Sequence, residues 1–141
     1  MNRQQLVLIR GLPGSGKSTM ARALSATTGA LHYEADMFFV RDGAYRYDPR
    51  DIGKAHEWCQ LAARRALEAG ADVIVSNTFT RNKEIKPYLE MAKMYRADFR
   101  VIVATGSYRN IHGVPQDAID RMRSRWEELD EETVRSIVAY R

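Results

Sequence analysis

The sequence predicts an α/β protein: a P-loop-type parallel sheet of four to five strands flanked by helices. Three observations carry that expectation. Short apolar runs with β-branched members, such as Leu6-Val7-Leu8-Ile9 and Val73-Ile74-Val75, alternate with segments of helical periodicity. The connections between runs are long enough to hold helices, and crossovers of that length force parallel strands joined in a right-handed sense. No internal repeat, low-complexity stretch or linker divides the 141 residues, so one domain over 1–141 is expected.

Each element has its own signal. Residues 5–10 read as a buried strand ended by Gly11. A helix follows from Lys17, with Met20, Ala21 and Leu24 at helical spacing and Gly29 as its stop. Residues 30–36 read as a second strand, and 37–48 as an irregular stretch rich in aromatics. Pro49 and Asp51 open a long helix closed by Gly70. Residues 71–78 form a third strand. Residues 81–96 form a helix that places Pro87 in its first turns. Residues 97–105 give a fourth strand and 107–115 a loop. A helix over 115–129 starts on Pro115, and a shorter one covers 130–141.

Composition bounds the function. Hydrophobic residues make up 45% and charged residues 28% of the chain, a globular balance that excludes dominant disorder. Cys59 is the one cysteine, so no internal disulfide forms, and it reads as a small buried apolar residue. The N-terminal apolar run is too short for a signal peptide and nothing approaches a membrane span, so a cytoplasmic protein is expected. The net charge of +4 is compatible with a polyanionic partner such as nucleic acid. No obligate protein partner is implied.

The chemistry starts at Gly11-Leu12-Pro13-Gly14-Ser15-Gly16-Lys17-Ser18-Thr19, which matches G-x-x-x-x-G-K-[ST] between a strand and a helix. The glycines let successive backbone N–H groups converge on phosphate oxygens, and the helix adds the positive end of its dipole. The expected ligand is a nucleoside triphosphate with Mg²⁺. Lys17 reaches the β- and γ-phosphates, Ser18 is the Mg²⁺ ligand, and Thr19 is placed for the α-phosphate. No N-K-x-D guanine reader is present, which leaves ATP as the expected nucleotide.

The acceptor side is read from the strand ends. Ligands in open parallel sheets sit beyond the carboxyl ends of the strands, which puts Asp36 beside the loop. A carboxylate there would accept a proton from an acceptor hydroxyl or hold a water of the Mg²⁺ shell; its other reading is a cap of the following segment. Glu34 is read as facing away from that approach and is the weaker carboxylate. Asn77 and Thr78, at the end of the third strand, either orient the acceptor or serve a turn. No acidic residue closes that strand, which argues against a motor-type ATPase. Residues 105–126 read as a basic lid, with Arg109 in its loop and Gly113 as a hinge. Arg121, Arg123 and Arg125 either serve that lid or form a solvated helix face. Phe38, Phe39, Tyr45 and Tyr47, interleaved with Arg41, Arg46 and Arg50, either stack on nucleotides or fill the core.

Six segments occur in an order that resembles the P-loop kinases related to bacteriophage polynucleotide kinase and the Nedd4-binding-protein-like P-loop domains. They are LIRGLPGSGKSTMAR, YEADMFF, DGAYRYDP, AHEWC, VIVSNT and RNIHGVP with Ile119, Arg121 and Met122. The resemblance spans about residues 5–126. It implies an ATP-dependent hydroxyl kinase with Asp36 as general base, Lys17 and Ser18 at phosphate and Mg²⁺, and Arg109 in the lid. Two positions depart from the pattern. Phe79 follows Asn77-Thr78 where relatives carry Thr-Asn after an acidic or amide residue. Phe39 stands near the place of the arginine that grips a terminal acceptor phosphate, with Arg41 two residues on. In its small size, its positive charge and the missing grip on a terminal phosphate, the chain is similar to small phage kinases that act on the hydroxymethyl group of 5-hydroxymethyluracil in DNA, which makes DNA the expected substrate. Alternatives are a polynucleotide 5′-hydroxyl kinase, a nucleoside or sugar kinase, and a nucleotide-dependent adaptor module.

Overall fold

The first apolar run becomes a strand because it is covered on both faces. Leu6 to Arg10 of β1 (Gln5–Arg10) are all buried. A computed structural model describes residues 3–106 and 113–140. In chain order β1 is followed by α1 (Lys17–Thr28), β2 (Leu31–Tyr33), a 3₁₀ turn (Ala35–Phe39), β3 (Val40–Arg41) and β4 (Ala44–Tyr45). Then come α2 (Ile52–Glu68), β5 (Val73–Asn77), α3 (Asn82–Tyr95), β6 (Asp98–Val103), α4 (Gln116–Arg125) and α5 (Glu131–Tyr140). None of the described helices is long and apolar enough to cross a membrane.

Four strands form a parallel sheet in the order β2-β5-β1-β6. Alternation along each strand sorts the side chains into two layers. Leu6, Leu8, Val73, Val75 and Phe99 pack with Cys59, Ala63 and Leu67 of α2, Ile85 and Leu89 of α3, and Ile137 of α5. Val7, Ile9 and Ile74 pack with Ala21 and Leu24 of α1. Helices therefore cover both faces, as the sequence predicts. The register aligns Arg10 with Asn77 and with Val103, so the carboxyl ends of the three strands lie side by side.

Three boundaries differ from expectation. The second strand stops at Tyr33 instead of continuing through Asp36. The Asn77 Oδ1 accepts from the Ala35 N–H at 2.8 Å, so a side chain ends the β2–β5 ladder and the chain turns into a 3₁₀ helix. The aromatic stretch contains a hairpin in which Val40 pairs with Tyr45 and Arg41 with Ala44. Its turn is Asp42-Gly43, both at positive φ (53° and 76°), the Asp-Gly pattern of tight hairpins. The third difference is the end of α4 at Arg125, short of Leu129. There the Glu127 N–H donates to Thr80 O at 2.7 Å. The fully buried Arg10 stacks on Trp126, its guanidinium carbon 3.9 Å from the ring centroid. Arg10 also donates to Phe79 O (2.6 Å) and Glu127 O (2.7 Å). These bonds hold Phe79 at φ 46°, a conformation bulky residues seldom adopt.

Candidate active site

The glycine-rich loop leaves β1 and enters α1 in the conformation its residue types require. Gly14 and Gly16 have φ of 82° and 89°, where a side chain would be strained. At Gly11 the constraint is space: a Cβ would run into Ser15 Oγ and come within 3.0 Å of Ala104 O. The Ser15 N–H donates to Leu12 O at 3.0 Å, and the Gly106 N–H to Ser15 O at 3.0 Å, which ties the loop to the end of β6. Lys17 is the first residue of α1, so its ammonium and the helix N-terminus supply positive charge at one place. Burial pushes the Lys17 pKa below its usual value, while the Glu34 and Asp36 carboxylates pull it back up.

This loop is one wall of a cavity of about 380 Å³. Pro13, Gly14, Gly16, Lys17, Ser18 and Thr19 line it on the α1 side, whereas Gly11, Leu12 and Ser15 do not line it. Glu34, Asp36, Ser76, Asn77 and Thr78 line it at the strand ends. Phe39, Tyr45, Tyr47, Ile52, Ala55 and His56 line a further wall, and Gly113, Val114, Pro115, Ala118 and Met122 close over it. The parallel strand ends thus gather the loop, both carboxylates and the Asn77-Thr78 pair around one space.

Glu34 corrects the expectation that it faces away. Ser18 Oγ donates to Glu34 Oε2 at 2.7 Å, and Ser76 Oγ donates to the same oxygen at 3.1 Å. His32 Nε2 lies 2.6 Å from Ser76 Oγ, which extends the polar chain along β2. The chain turns into the 3₁₀ helix right after Glu34, so the carboxylates two residues apart both reach the cavity. Asp36 accepts from the Tyr45 hydroxyl at 3.0 Å. Asn77 spends its side chain on structure: beside the Ala35 bond, its Nδ2 donates to Cys59 Sγ at 3.7 Å. Cys59 is fully buried, as expected, and burial raises its pKa.

Arg121, Arg123 and Arg125 lie on the exposed face of α4, one of their two expected readings. Arg121 pairs with Asp117 at 3.0 Å and Arg123 with Asp120 at 3.6 Å, all exposed along α4. The face of α4 turned to the cavity is apolar, made by Ala118 and Met122. Arg41 is exposed, lies over the Phe38 ring (5.8 Å) and does not line the cavity. Arg109 and His112 lie outside the described residues.

A family model described as an AAA domain (AAA_33) matches residues 6–129. The chain belongs to that family. It is 37% identical over 134 residues to human NEDD4-binding protein 2, covering 86% of this chain and 8% of that protein. It is 26% identical to the bifunctional polynucleotide phosphatase/kinase of Schizosaccharomyces pombe, covering 88% of this chain and 30% of that one. The chain thus spans a small part of these two relatives. Among solved structures, a gluconokinase from Sinorhizobium meliloti shares the fold (TM-score 0.63, 18% identity, 99% of this chain and 93% of that one). So does a chain of the Pnkp1/Rnl/Hen1 complex (TM-score 0.61, 20% identity, 93% and 42%). The fold of this AAA-domain chain is that of P-loop kinases.

Proposed function

We propose that the chain is an ATP-dependent kinase that transfers the γ-phosphoryl group to a hydroxyl on nucleic acid, with the hydroxymethyl group of 5-hydroxymethyluracil in DNA as its acceptor. One observation carries the kinase reading: a single cavity joins the phosphate-shaped loop, Lys17 and Ser18 to the Asp36 carboxylate. Binding and transfer are then a matter of position and charge. The loop N–H groups and the α1 N-terminus hold the phosphates. Lys17 offsets the charge that builds on the β,γ-bridging oxygen. Asp36 takes the proton as the acceptor oxygen attacks phosphorus and ADP leaves. The apolar Ala118 and Met122 keep water from competing as acceptor.

Ser18 Oγ and Glu34 Oε2 form a pair of hard oxygen donors at the mouth of the loop, a set that suits Mg²⁺. Mg²⁺ would supply charge neutralisation to the β- and γ-phosphate oxygens when bound. Glu34 gives the site the acidic group that the end of β5, Ser76-Asn77, does not carry.

Nucleic acid is favoured by the named activity of the fission-yeast relative and by the net charge of +4. The test is phosphate incorporation from radiolabelled ATP into two duplexes blocked at their 5′ ends, one with internal 5-hydroxymethyluracil and one with thymine. Selective labelling of the first is expected. Equal labelling rejects that acceptor, labelling only of unblocked ends favours a 5′-hydroxyl kinase, and labelling only of free nucleosides or sugars favours a small-molecule kinase.

A further inference from the structure

The wall beyond Asp36 is built unlike the rest of the cavity. Tyr45 and Tyr47 present two nearly parallel rings, 12° apart with centroids separated by 6.4 Å. Both are exposed, 41% and 51%, although the hairpin that carries Tyr45 is only two residues long on each strand. Beneath them the buried Phe39 packs edge-on against Tyr47 (5.2 Å) and Tyr45 (6.3 Å). The pair is therefore held from behind by Phe39 and lines the cavity with its exposed surface. Ile52, from the first turn of α2, extends the same apolar surface and is itself exposed. Exposed aromatic surface inside a cavity marks a ligand contact.

Its position relative to the loop says which ligand. On the kinase reading phosphates bind at the N-terminus of α1, a helix that packs on one face of the sheet, whereas Phe39 packs in the layer of α2 and α3 on the other. Asp36 lies between them, tied to the aromatic wall by the Tyr45 hydroxyl. Desolvation and the Asp36 charge raise the pKa of Tyr45.

We propose that Tyr45 and Tyr47, backed by Phe39 and bordered by Ile52, form the acceptor subsite, which takes a flat heterocyclic base by stacking and delivers its hydroxyl substituent to Asp36. The proposal rests on the kinase reading above and names the residues that seat the acceptor base. Tyr47 is a stacking surface. Tyr45 does two things: its ring stacks, and its O–H holds Asp36 Oδ1 so that the carboxylate faces the acceptor. The proton of the acceptor O–H passes to Asp36, the new O–P bond forms, and the bond from γ-phosphorus to the bridging oxygen breaks to release ADP. A polyol offers no π-face and gains nothing from this wall. A base in a duplex must be unpaired to reach it.

The test measures binding and transfer separately. Binding is read by fluorescence anisotropy of a labelled single strand, 5′-blocked, with one 5-hydroxymethyluracil, and of the same strand with an abasic site there. Tyr47→Ala is expected to weaken binding of the first strand about tenfold or more, the usual scale of base–aromatic stacking. Tyr47→Trp should stay within about threefold, and the abasic strand should not distinguish Tyr47→Ala from wild type. Tyr45→Phe keeps the ring, so binding should hold within about threefold while turnover falls about tenfold, on the scale of a lost orienting bond. Melting temperatures should barely move, because both side chains are exposed. Unchanged binding by Tyr47→Ala, or an equal loss on the abasic strand, overturns the subsite. If wild type transfers phosphate to the strand in that case, the kinase reading stands. If instead binding depends on Tyr47 and no strand is phosphorylated, the subsite stands and the kinase reading falls.

Discussion

The two sides of the cavity solve opposite problems. On the proposed kinase reading, the phosphate side, residues 11–19, would grip with backbone: glycines at positive φ, the first N–H groups of α1 and one ammonium. The other side, residues 34–56, presents side chains: two carboxylates, two stacked tyrosines and an apolar helix turn. A phosphate chain is the same anion in every nucleotide, so one loop shape serves it and tolerates little variation. An acceptor differs between enzymes, and the wall that meets it is assembled from short local pieces held by single hydrogen bonds. Substitutions on the two sides should therefore fail differently: the first by losing transfer altogether, the second by losing orientation.

The largest effect is expected on the phosphate side. Lys17→Ala removes the fixed cation and should lower transfer about 10³-fold or more, measured with radiolabelled ATP. Turnover near that of wild type would break the comparison and the kinase reading with it. Asp36→Asn should come next. It is expected to lower turnover about 10²-fold while ATP binding stays within a few-fold. Calorimetric titration with an ATP analogue checks the second half: a matching loss of nucleotide affinity would move Asp36 to the phosphate side.

Asn77→Ala sharpens the division, because Asn77 belongs to β5 yet holds the acceptor segment. Without it the Ala35 N–H loses its acceptor in a buried place, at a cost of about 1–3 kcal/mol. Chemical denaturation should read that loss. Unchanged stability would mean that the 3₁₀ turn does not depend on this bond. Glu34→Gln is expected to act on metal: an about tenfold higher Mg²⁺ concentration for half-maximal rate, with the rate restored by excess Mg²⁺, and weaker Mn²⁺ binding by electron paramagnetic resonance. A loss that excess metal does not restore would make Glu34 a support for Ser18 only.

The same contrast explains what was legible in the sequence. The parallel sheet was readable, because β1 and β5 are buried on both faces and so carry unbroken apolar runs. The phosphate loop was readable because its glycines answer to φ and to space at fixed spacing. On the acceptor side the sequence pattern fails at Glu34. Its direction depends on where β2 stops, and that is decided by a side chain 43 positions from it in sequence, Asn77 Oδ1. The hairpin had a local signal in Asp42-Gly43, masked by strands of two residues each, too short to show alternation. Arg10 had no signal: an arginine at the end of an apolar strand gives no hint that its guanidinium is wholly enclosed under Trp126.

The smallest effect is expected where the sequence suggested cationic help for the phosphates. Arg121 and Arg123 are exposed and paired with Asp117 and Asp120 on the same helix, while the cavity face of α4 belongs to Ala118 and Met122. Exposed i,i+3 and i,i+4 pairs contribute about 0.3–0.5 kcal/mol. The double variant Arg121→Gln, Arg123→Gln should therefore shift stability by less than about 1 kcal/mol and leave the KM for ATP within about twofold. Steady-state kinetics with ATP varied at fixed acceptor provides the check. A rise in KM for ATP of tenfold or more would mean that α4 turns its charged face inward during turnover, and the closing wall would then belong with the phosphate side of the cavity. If only the KM for the DNA strand rises, and rises more at low salt, the two arginines contact backbone phosphates, and α4 extends the acceptor surface outward.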